Sequence, residues 1–167
     1  MLNIRTLNFT GAATLLDQEL QRWNIQVAVL QEVRWLDSRE VSIGDTAFMW
    51  SGRNDGKHQE GVALAVQRKL MHTAGFLSLI VAYAVTENAD TSVKEQFYAD
   101  LEVTIAQCSK NDLKVILGDF NAVTGSSRIQ GDTALGPWGS SIPNVNTDLL
   151  LSFCRGHHLS IAGSWFH

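Results

Sequence analysis

The stretch Lys114-Val-Ile-Leu-Gly-Asp119-Phe-Asn121 is an apolar run that ends in a glycine and is followed by two polar side chains. The run predicts a buried strand over 114–117, and Gly118 allows close approach of another backbone or of a ligand. Asp119 and Asn121 are two residues apart, so on extended backbone their side chains point the same way. The stretch therefore predicts a carboxylate and a carboxamide side by side in a cleft. A simple turn is the alternative, because Asp and Asn are also common turn residues.

The composition of the chain sets limits on its class. With 167 residues, 45% of them hydrophobic, it is expected to be one domain with a real core. The net charge of −4 lacks the basic signature of a protein clamped along a nucleic acid, but it does not exclude an enzyme that touches one strand at a metal-filled cleft. Cys108 and Cys154 are predicted to be buried free thiols in a reducing compartment. No signal-like or membrane-spanning run is present, so we expect an intracellular protein, nuclear or cytoplasmic, without a membrane partner.

The hydrophobic periodicity predicts helices and strands in an order that suggests the architecture. Several strands are consecutive rather than alternating with helices, which indicates two packed sheets flanked by helices. The predicted helices cover 12–23, 93–108 and 145–154. The predicted strands cover 25–30, one or two segments within 41–50, then 62–66, 77–85, 114–117 and 159–162, with polar loops over 51–60 and 124–141.

A few other side chains could carry chemistry. Glu32 ends a predicted buried strand, where a carboxylate can hold a hard cation such as Mg²⁺, although many such residues are simply solvated. Tyr83 could present its phenol to a reacting oxygen, or pack its ring in a sheet. The pair His157-His158 follows a helix and is expected to cap carbonyl groups rather than to bind metal. Core packing is the expected use of Trp35, Trp50, Trp138 and Trp165, with base stacking as the alternative.

Four segments together resemble a known family: Asn3-Ile-Arg5, Gln31-Glu32-Val-Arg-Trp35, Tyr83 after a β-branched strand, and Gly118-Asp119-Phe-Asn121. Their order and setting are similar to the endonuclease/exonuclease/phosphatase family, which has the DNase I-like fold. The closer similarity is to the endonuclease domains of RTE-type non-LTR retrotransposons and to their host relatives, the craniofacial development protein 2-like proteins. The resemblance covers essentially the whole chain. It implies one domain over 1–167 with an incomplete four-layer α/β sandwich, two packed β-sheets flanked by helices.

The resemblance also implies roles for individual residues. Glu32 would bind a divalent metal, Mg²⁺ or alternatively Mn²⁺, with Asn3 nearby. Asp119 would orient or deprotonate the attacking water, and Asn121 would hold that water or the phosphate. The Tyr83 hydroxyl would stabilise charge on the phosphoryl oxygens. The implied substrate is DNA, attacked at its phosphodiester backbone, because such a reaction needs charge neutralisation and an aligned nucleophile.

Some features of the family are absent from this sequence. Neither the Arg-x-x-x-Ile-Asp-Tyr-type strand nor the Ser-Asp-His motif occurs, and His157, His158 and His167 do not match the latter. The segment 75–83 is also shorter than in relatives, which suggests that one internal strand is missing. We therefore expect a fragment with weak or no activity alone. The alternatives are a non-catalytic remnant or interaction module of the same fold, and a phosphatase acting on small phosphoesters or lipid headgroups.

Overall fold

The computed structural model describes residues 2–59, 61–71, 77–125, 131–139 and 142–166, and it is mixed α/β with two sheets. The described chain divides into two compact units, 1–82 with 108–118 and 83–107 with 119–167. Along the chain the elements are β1 (Leu2–Asn3), α1 (Ala12–Arg22), β2 (Val27–Gln31), β3 (Ser38–Ile43), β4 (Thr46–Ser51), β5 (Val62–Gln67), α2 (Arg68–Met71), β6 (Leu77–Tyr83), α3 (Thr91–Gln107), β7 (Leu113–Asp119), α4 (Val145–Gly156) and a 3₁₀ turn (Ala162–Ser164).

The larger sheet lies in the first unit and has the strand order β1-β2-β5-β4-β3. β1 runs parallel to β2, and the other neighbours are antiparallel. The segment 41–50, for which one or two strands were expected, is a two-stranded hairpin. Ile43 pairs with Thr46, and Gly44 takes the positive φ of 58° that this tight turn requires.

Two apolar clusters cover opposite faces of β2 and β5 in the first unit. On one face α1 begins after Gly11, as predicted, and Leu20 packs with Leu30 and Phe48, which are almost fully buried. The other face packs against side chains of the second sheet. The residues in that second cluster are Val27, Val29, Met49, Leu64, Val66, Leu70, Leu79, Val81 and Leu117. This confirms the prediction of two packed sheets, because period-two alternation turns successive apolar residues to opposite faces.

The second sheet contains β6 and β7, and Gly118 explains how closely they approach. A Cβ atom at Gly118 would lie only 1.8 Å from the carbonyl oxygen of Ala82. The sequence therefore correctly predicted that this glycine permits close approach of another backbone. The strand extends further than the apolar run, because Gly118 and Asp119 belong to β7.

The second unit is built around α3 and α4, both at the predicted positions. Tyr98 of α3 and Phe153 of α4 have ring centroids 5.4 Å apart. Burial raises the pKa of the Tyr98 hydroxyl, and burial also raises the pKa of the Cys154 thiol to about 11. Both cysteines are thiols outside any disulfide, as predicted. Cys154 is buried, whereas Cys108, which was also predicted to be buried, is partly exposed.

One predicted strand does not form, and another ends earlier than predicted. The strand expected over 159–162 is irregular chain followed by the 3₁₀ turn, and the Ile161 N–H donates to the Ala134 carbonyl at 2.8 Å. An apolar side chain at Ile161 suits core packing as well as strand pairing, so it did not specify a hydrogen-bonded strand. β6 ends at Tyr83 rather than 85. The loop 124–141 has neither helix nor strand in its described parts, whereas residues 75–76 of the shortened segment and His167 lie outside the described residues.

Among the described residues, no helix combines the length and apolar character needed to cross a membrane.

Candidate functional site

One candidate group lies in the first unit, where β1 and β2 end side by side. Parallel pairing sets Asn3 opposite Gln31, so Glu32 emerges next to the Asn3 side chain. The Asn3 amide Nδ2 donates to Glu32 Oε1 at 2.9 Å, and Arg34 Nη2 lies 3.3 Å from Glu32 Oε2. The Arg5 backbone N–H donates to Asn3 Oδ1 at 3.1 Å. The two residues that the family resemblance assigned to the metal are therefore in direct contact.

The surroundings of Glu32 keep its carboxylate ionised. The hydrogen bond from Asn3 is the largest cause lowering the pKa of Glu32, and Arg34 lowers it further, whereas burial acts in the opposite direction. The side chain remains 33% exposed, so a ligand from solvent can reach it. A charged, accessible carboxylate is what a divalent cation requires.

The backbone around Glu32 is held in unusual conformations. Arg5, Glu32 and Arg34 have φ angles of 58°, 55° and 57°, in the left-handed region that residues other than glycine seldom adopt. The His58 ring Nδ1 lies 2.9 Å from the Arg34 carbonyl oxygen and braces this segment. Such strain persists where the surroundings fix it, and it is concentrated at functional sites. Sequence reasoning gave Arg34 no role, although its i+2 spacing from Glu32 was a usable signal.

The donor atoms of this group fit Mg²⁺ or Mn²⁺. A carboxylate and a carboxamide oxygen are hard ligands, and Mg²⁺ in proteins often takes one or two carboxylates and keeps several waters. Glu32 and Asn3 supply those two ligand types at the adjacent ends of β1 and β2. Within the described part of the chain, no cluster of three or more His, Cys, Asp or Glu side chains could form a dedicated cage. The group thus fits an open, partly hydrated metal site.

Removing the Asn3 amide is expected to raise the pKa of Glu32. In Asn3→Ala the largest cause of the lowered pKa disappears, and the effect of Arg34 remains. The Asn3–Glu32 hydrogen bond stabilises the folded chain at pH values above the usual pKa of a glutamate. This contribution is lost as the pH falls through the lowered pKa of Glu32. Carbon-detected NMR titration of the Glu32 carboxyl measures the shift. The Asn8→Ala variant, altered at an exposed asparagine, serves as the control, and an unchanged Glu32 pKa in Asn3→Ala would contradict the assignment.

The second candidate group lies in the second unit, at the exits of β6 and β7. Tyr83 ends β6 with 43% of its surface exposed, and Asp119 ends β7. The Ala84 N–H donates to the Asp119 carbonyl oxygen at 2.8 Å, which joins the two exits. The phenol is therefore accessible, and the carboxylate follows at the neighbouring strand end.

The expectation that Asp119 and Asn121 project side by side from extended backbone is wrong. Asn121 has a φ of 47°, and its N–H donates to Asp119 Oδ1 at 2.8 Å, which makes a compact Asx turn. The Asn121 side chain turns back and donates through Nδ2 to the Ala84 carbonyl at 2.8 Å. The turn alternative describes this local geometry. Asp119 Oδ2 and Asn121 Oδ1 accept no hydrogen bond from the described residues and remain available to a ligand.

The histidine pair and the tryptophans serve packing to different extents. His157 occupies the C-cap position of α4, where its backbone N–H donates to the Phe153 carbonyl at 3.1 Å, so the expected capping of carbonyls is made by the backbone. The His157 ring lies 4.6 Å from the Phe153 ring, centroid to centroid, and its Nε2 is 3.4 Å from Glu102 Oε1. Trp35 and Trp50 pack ring to ring at 4.7 Å, as predicted. Trp138 differs from them in exposure, since it is 53% exposed, whereas Trp165 is partly buried, as Trp35 and Trp50 are.

The mixed α/β structure, with two sheets and four helices in its described residues, has the elements of a partial DNase I-like fold. Residues 2–167 match the Endonuclease/Exonuclease/phosphatase family, and the chain belongs to that family, which is generally dependent on divalent metals. The chain is 28% identical over 183 residues to craniofacial development protein 2 of Bos taurus and, over the same length, to that of Tragulus javanicus. Each alignment covers 98% of this chain but only 30% and 31% of those relatives. The resemblance to this family and to craniofacial development protein 2 is confirmed.

Proposed function

We propose that this chain carries the catalytic half-sites of a metal-dependent phosphodiesterase that cleaves DNA, of the retroelement endonuclease type. The observation that carries the proposal is the Asn3–Glu32 pair, an ionised and accessible carboxylate with a carboxamide hydrogen-bonded to it at 2.9 Å. A plain strand end would not need three left-handed non-glycine residues to present it. Family membership supplies the reaction class.

In this proposal each half-site has a separate task. Glu32 and Asn3 hold the metal, which when bound neutralises charge on the phosphodiester. Asp119 orients or deprotonates the attacking water through Oδ2, because Oδ1 is already engaged by the Asn121 N–H. Asn121 holds the water or the phosphate through Oδ1, and Tyr83 offers its exposed hydroxyl to the phosphoryl oxygens.

We expect the rate of the chain alone to be low. In the described residues, the acidic partner that a histidine contacts is Glu102, which lies 3.4 Å from His157, so no His–Asp pair is available there to protonate a leaving group. Losing one general acid or base lowers a rate about 10²- to 10⁴-fold. An internal segment of the relatives is proposed to be missing here, because the alignment to the Bos taurus relative spans 183 residues and covers 98% of a chain of 167.

A second candidate is an interaction module of the same fold. A groove of about 510 Å³ opens in the first unit beside β6, and its apolar lining includes Met49, Leu64, Leu79 and Val81. Leu79 and Val81 belong to β6, which in the described residues pairs only with β7. Exposed apolar surface of this kind favours association. A phosphatase acting on small phosphoesters or lipid headgroups is a further alternative within the family, and substrate profiling separates it from a DNA endonuclease.

The Glu32→Gln variant is expected to lose divalent-metal binding while keeping its fold. The substitution removes the charge but retains an acceptor for the Asn3 amide. Titration with Mn²⁺, followed by electron paramagnetic resonance, measures the free ion. Glu95→Gln removes an exposed glutamate of α3 and serves as the control, which should bind as the wild type does. Equal Mn²⁺ affinity in wild type and Glu32→Gln would contradict the metal assignment and favour the interaction module.

A further inference from the structure

The exits of β6 and β7 are joined to the start of α4 by two asparagine side chains that the sequence did not single out. Asn144 is the N-cap residue of α4, and Asn146 lies in its first turn with only 3% of its surface exposed. Both side chains donate through Nδ2 to the same atom, the carbonyl oxygen of Asn121, at 2.9 and 3.0 Å. We call Asn144 and Asn146 the asparagine clamp.

The clamp reaches both strand exits. Asn146 Nδ2 also donates to the Val85 carbonyl at 3.1 Å, two residues after Tyr83. Asn121 itself donates to the Ala84 carbonyl at 2.8 Å. The carbonyls of two successive residues after β6, Ala84 and Val85, therefore accept hydrogen bonds from Asn121 and Asn146. The acceptors are all backbone carbonyls, which can only accept, and this fixes the donor orientation of each amide.

The two clamp residues differ in their other duties. Asn144 Oδ1 accepts from the Val123 N–H at 3.1 Å, and a capping box joins Asn144 to Thr147, whose hydroxyl oxygen accepts from the Asn144 N–H at 3.0 Å. Asn146 Oδ1 is buried and has no partner among the described residues. A buried acceptor without a partner is unfavourable, so this oxygen does not favour the observed position. The hydrogen bonds that Asn146 Nδ2 donates to the Asn121 and Val85 carbonyls favour it.

We propose that the asparagine clamp positions the reacting groups of the second half-site. This role rests on the proposed function: Asn144 and Asn146 hold Asn121 in its left-handed conformation. That conformation aims the Asn121 N–H at Asp119 Oδ1 and leaves Asp119 Oδ2 to the water. Neither clamp residue touches substrate in this role, so both are positioning residues. A misplacement of about 1 Å at such a site can lower a rate about 10²-fold.

Asn144→Asp separates positioning from helix capping. Aspartate keeps the Oδ1 acceptor and is as good an N-cap as asparagine, but it cannot donate to the Asn121 carbonyl. We expect kcat for Mg²⁺-dependent plasmid nicking to fall about 10- to 100-fold at a temperature at which the variant is fully folded, while KM keeps its wild-type value. Asn146→Ala removes the second donor and is expected to lower kcat in the same way. Asn111→Asp, the same change at an exposed site, is the control and should match the wild type.

A second measurement tests the clamp without requiring activity. In ¹⁵N-labelled chain, Asn144→Asp should shift the amide resonances of 119–123 and 84–85 and speed hydrogen exchange at the Asn121 N–H. Mn²⁺ affinity should not change, because Glu32 and Asn3 are untouched. A wild-type kcat, or a kcat loss only in step with a lowered melting temperature, would overturn the positioning role. A wild type that neither binds Mn²⁺ nor nicks DNA overturns the proposed function and with it the catalytic role, whereas unchanged NMR spectra overturn the clamp itself.

Discussion

Replacing Asp119 by asparagine is expected to abolish most DNA cleavage while leaving the fold intact. Asparagine retains an oxygen for the Asn121 N–H, which in the native chain donates to Asp119 Oδ1 at 2.8 Å, so the turn is preserved. The charge that orients or deprotonates the attacking water is lost. We expect the nicking rate of supercoiled plasmid with Mg²⁺ to fall about 10²- to 10⁴-fold, with an unchanged melting temperature.

Two comparisons separate the catalytic and structural roles of this carboxylate. Asp119→Ala removes the turn bond as well, and it should add a stability loss of about 1 kcal/mol, the net value of one hydrogen bond. Asp45→Ala changes an exposed aspartate in the β3–β4 turn and should cleave like the wild type. If Asp119→Asn nicked DNA as fast as the wild type, Asp119 would be only a turn residue.

Adding one methyl group at Gly118 is expected to have the largest effect on folding. The new Cβ would lie 1.8 Å from the Ala82 carbonyl oxygen, which is backbone and cannot rotate away. The two strands must separate, and overpacking of this kind lowers the free energy of unfolding by about 1–3 kcal/mol or more. Urea denaturation followed by circular dichroism measures the change in Gly118→Ala.

A glycine without such a neighbour provides the control. A Cβ at Gly156, the last residue of α4, would meet nothing within 4 Å. Gly156→Ala should therefore be neutral or stabilise the chain by up to about 1 kcal/mol, since alanine favours helix over glycine. Equal stability of Gly118→Ala and the wild type would show that β6 and β7 do not pack as closely as described.

The elements with strong periodicity were predictable because their cause is local. The apolar periodicity over 12–23 and over 93–108 placed two helices almost at their observed bounds. Consecutive apolar strands indicated two sheets, and the packing of Leu79 and Val81 on the first sheet agrees. The predicted strand at 159–162 failed because pairing depends on a partner strand, which a short apolar run does not specify.

The metal half-site was predictable only in its parts. The sequence placed Glu32 at the end of a buried strand, and family resemblance added Asn3. Their contact at 2.9 Å depends on parallel pairing between segments 29 residues apart. The contribution of Arg34 also needed the structure, since left-handed backbone at Glu32 and Arg34 decides where both side chains point.

For Gly118-Asp119-Phe-Asn121, the sequence by itself determined the chemistry: a glycine where backbones meet, a carboxylate and a carboxamide, and through them the family. Only the tertiary structure decided how these groups are used. Asn121 does not extend beside Asp119, and its backbone carbonyl accepts hydrogen bonds from Asn144 and Asn146, at the start of a helix more than twenty residues away. Residue types fix which hydrogen bonds are available, whereas the packing of distant segments selects which of them form.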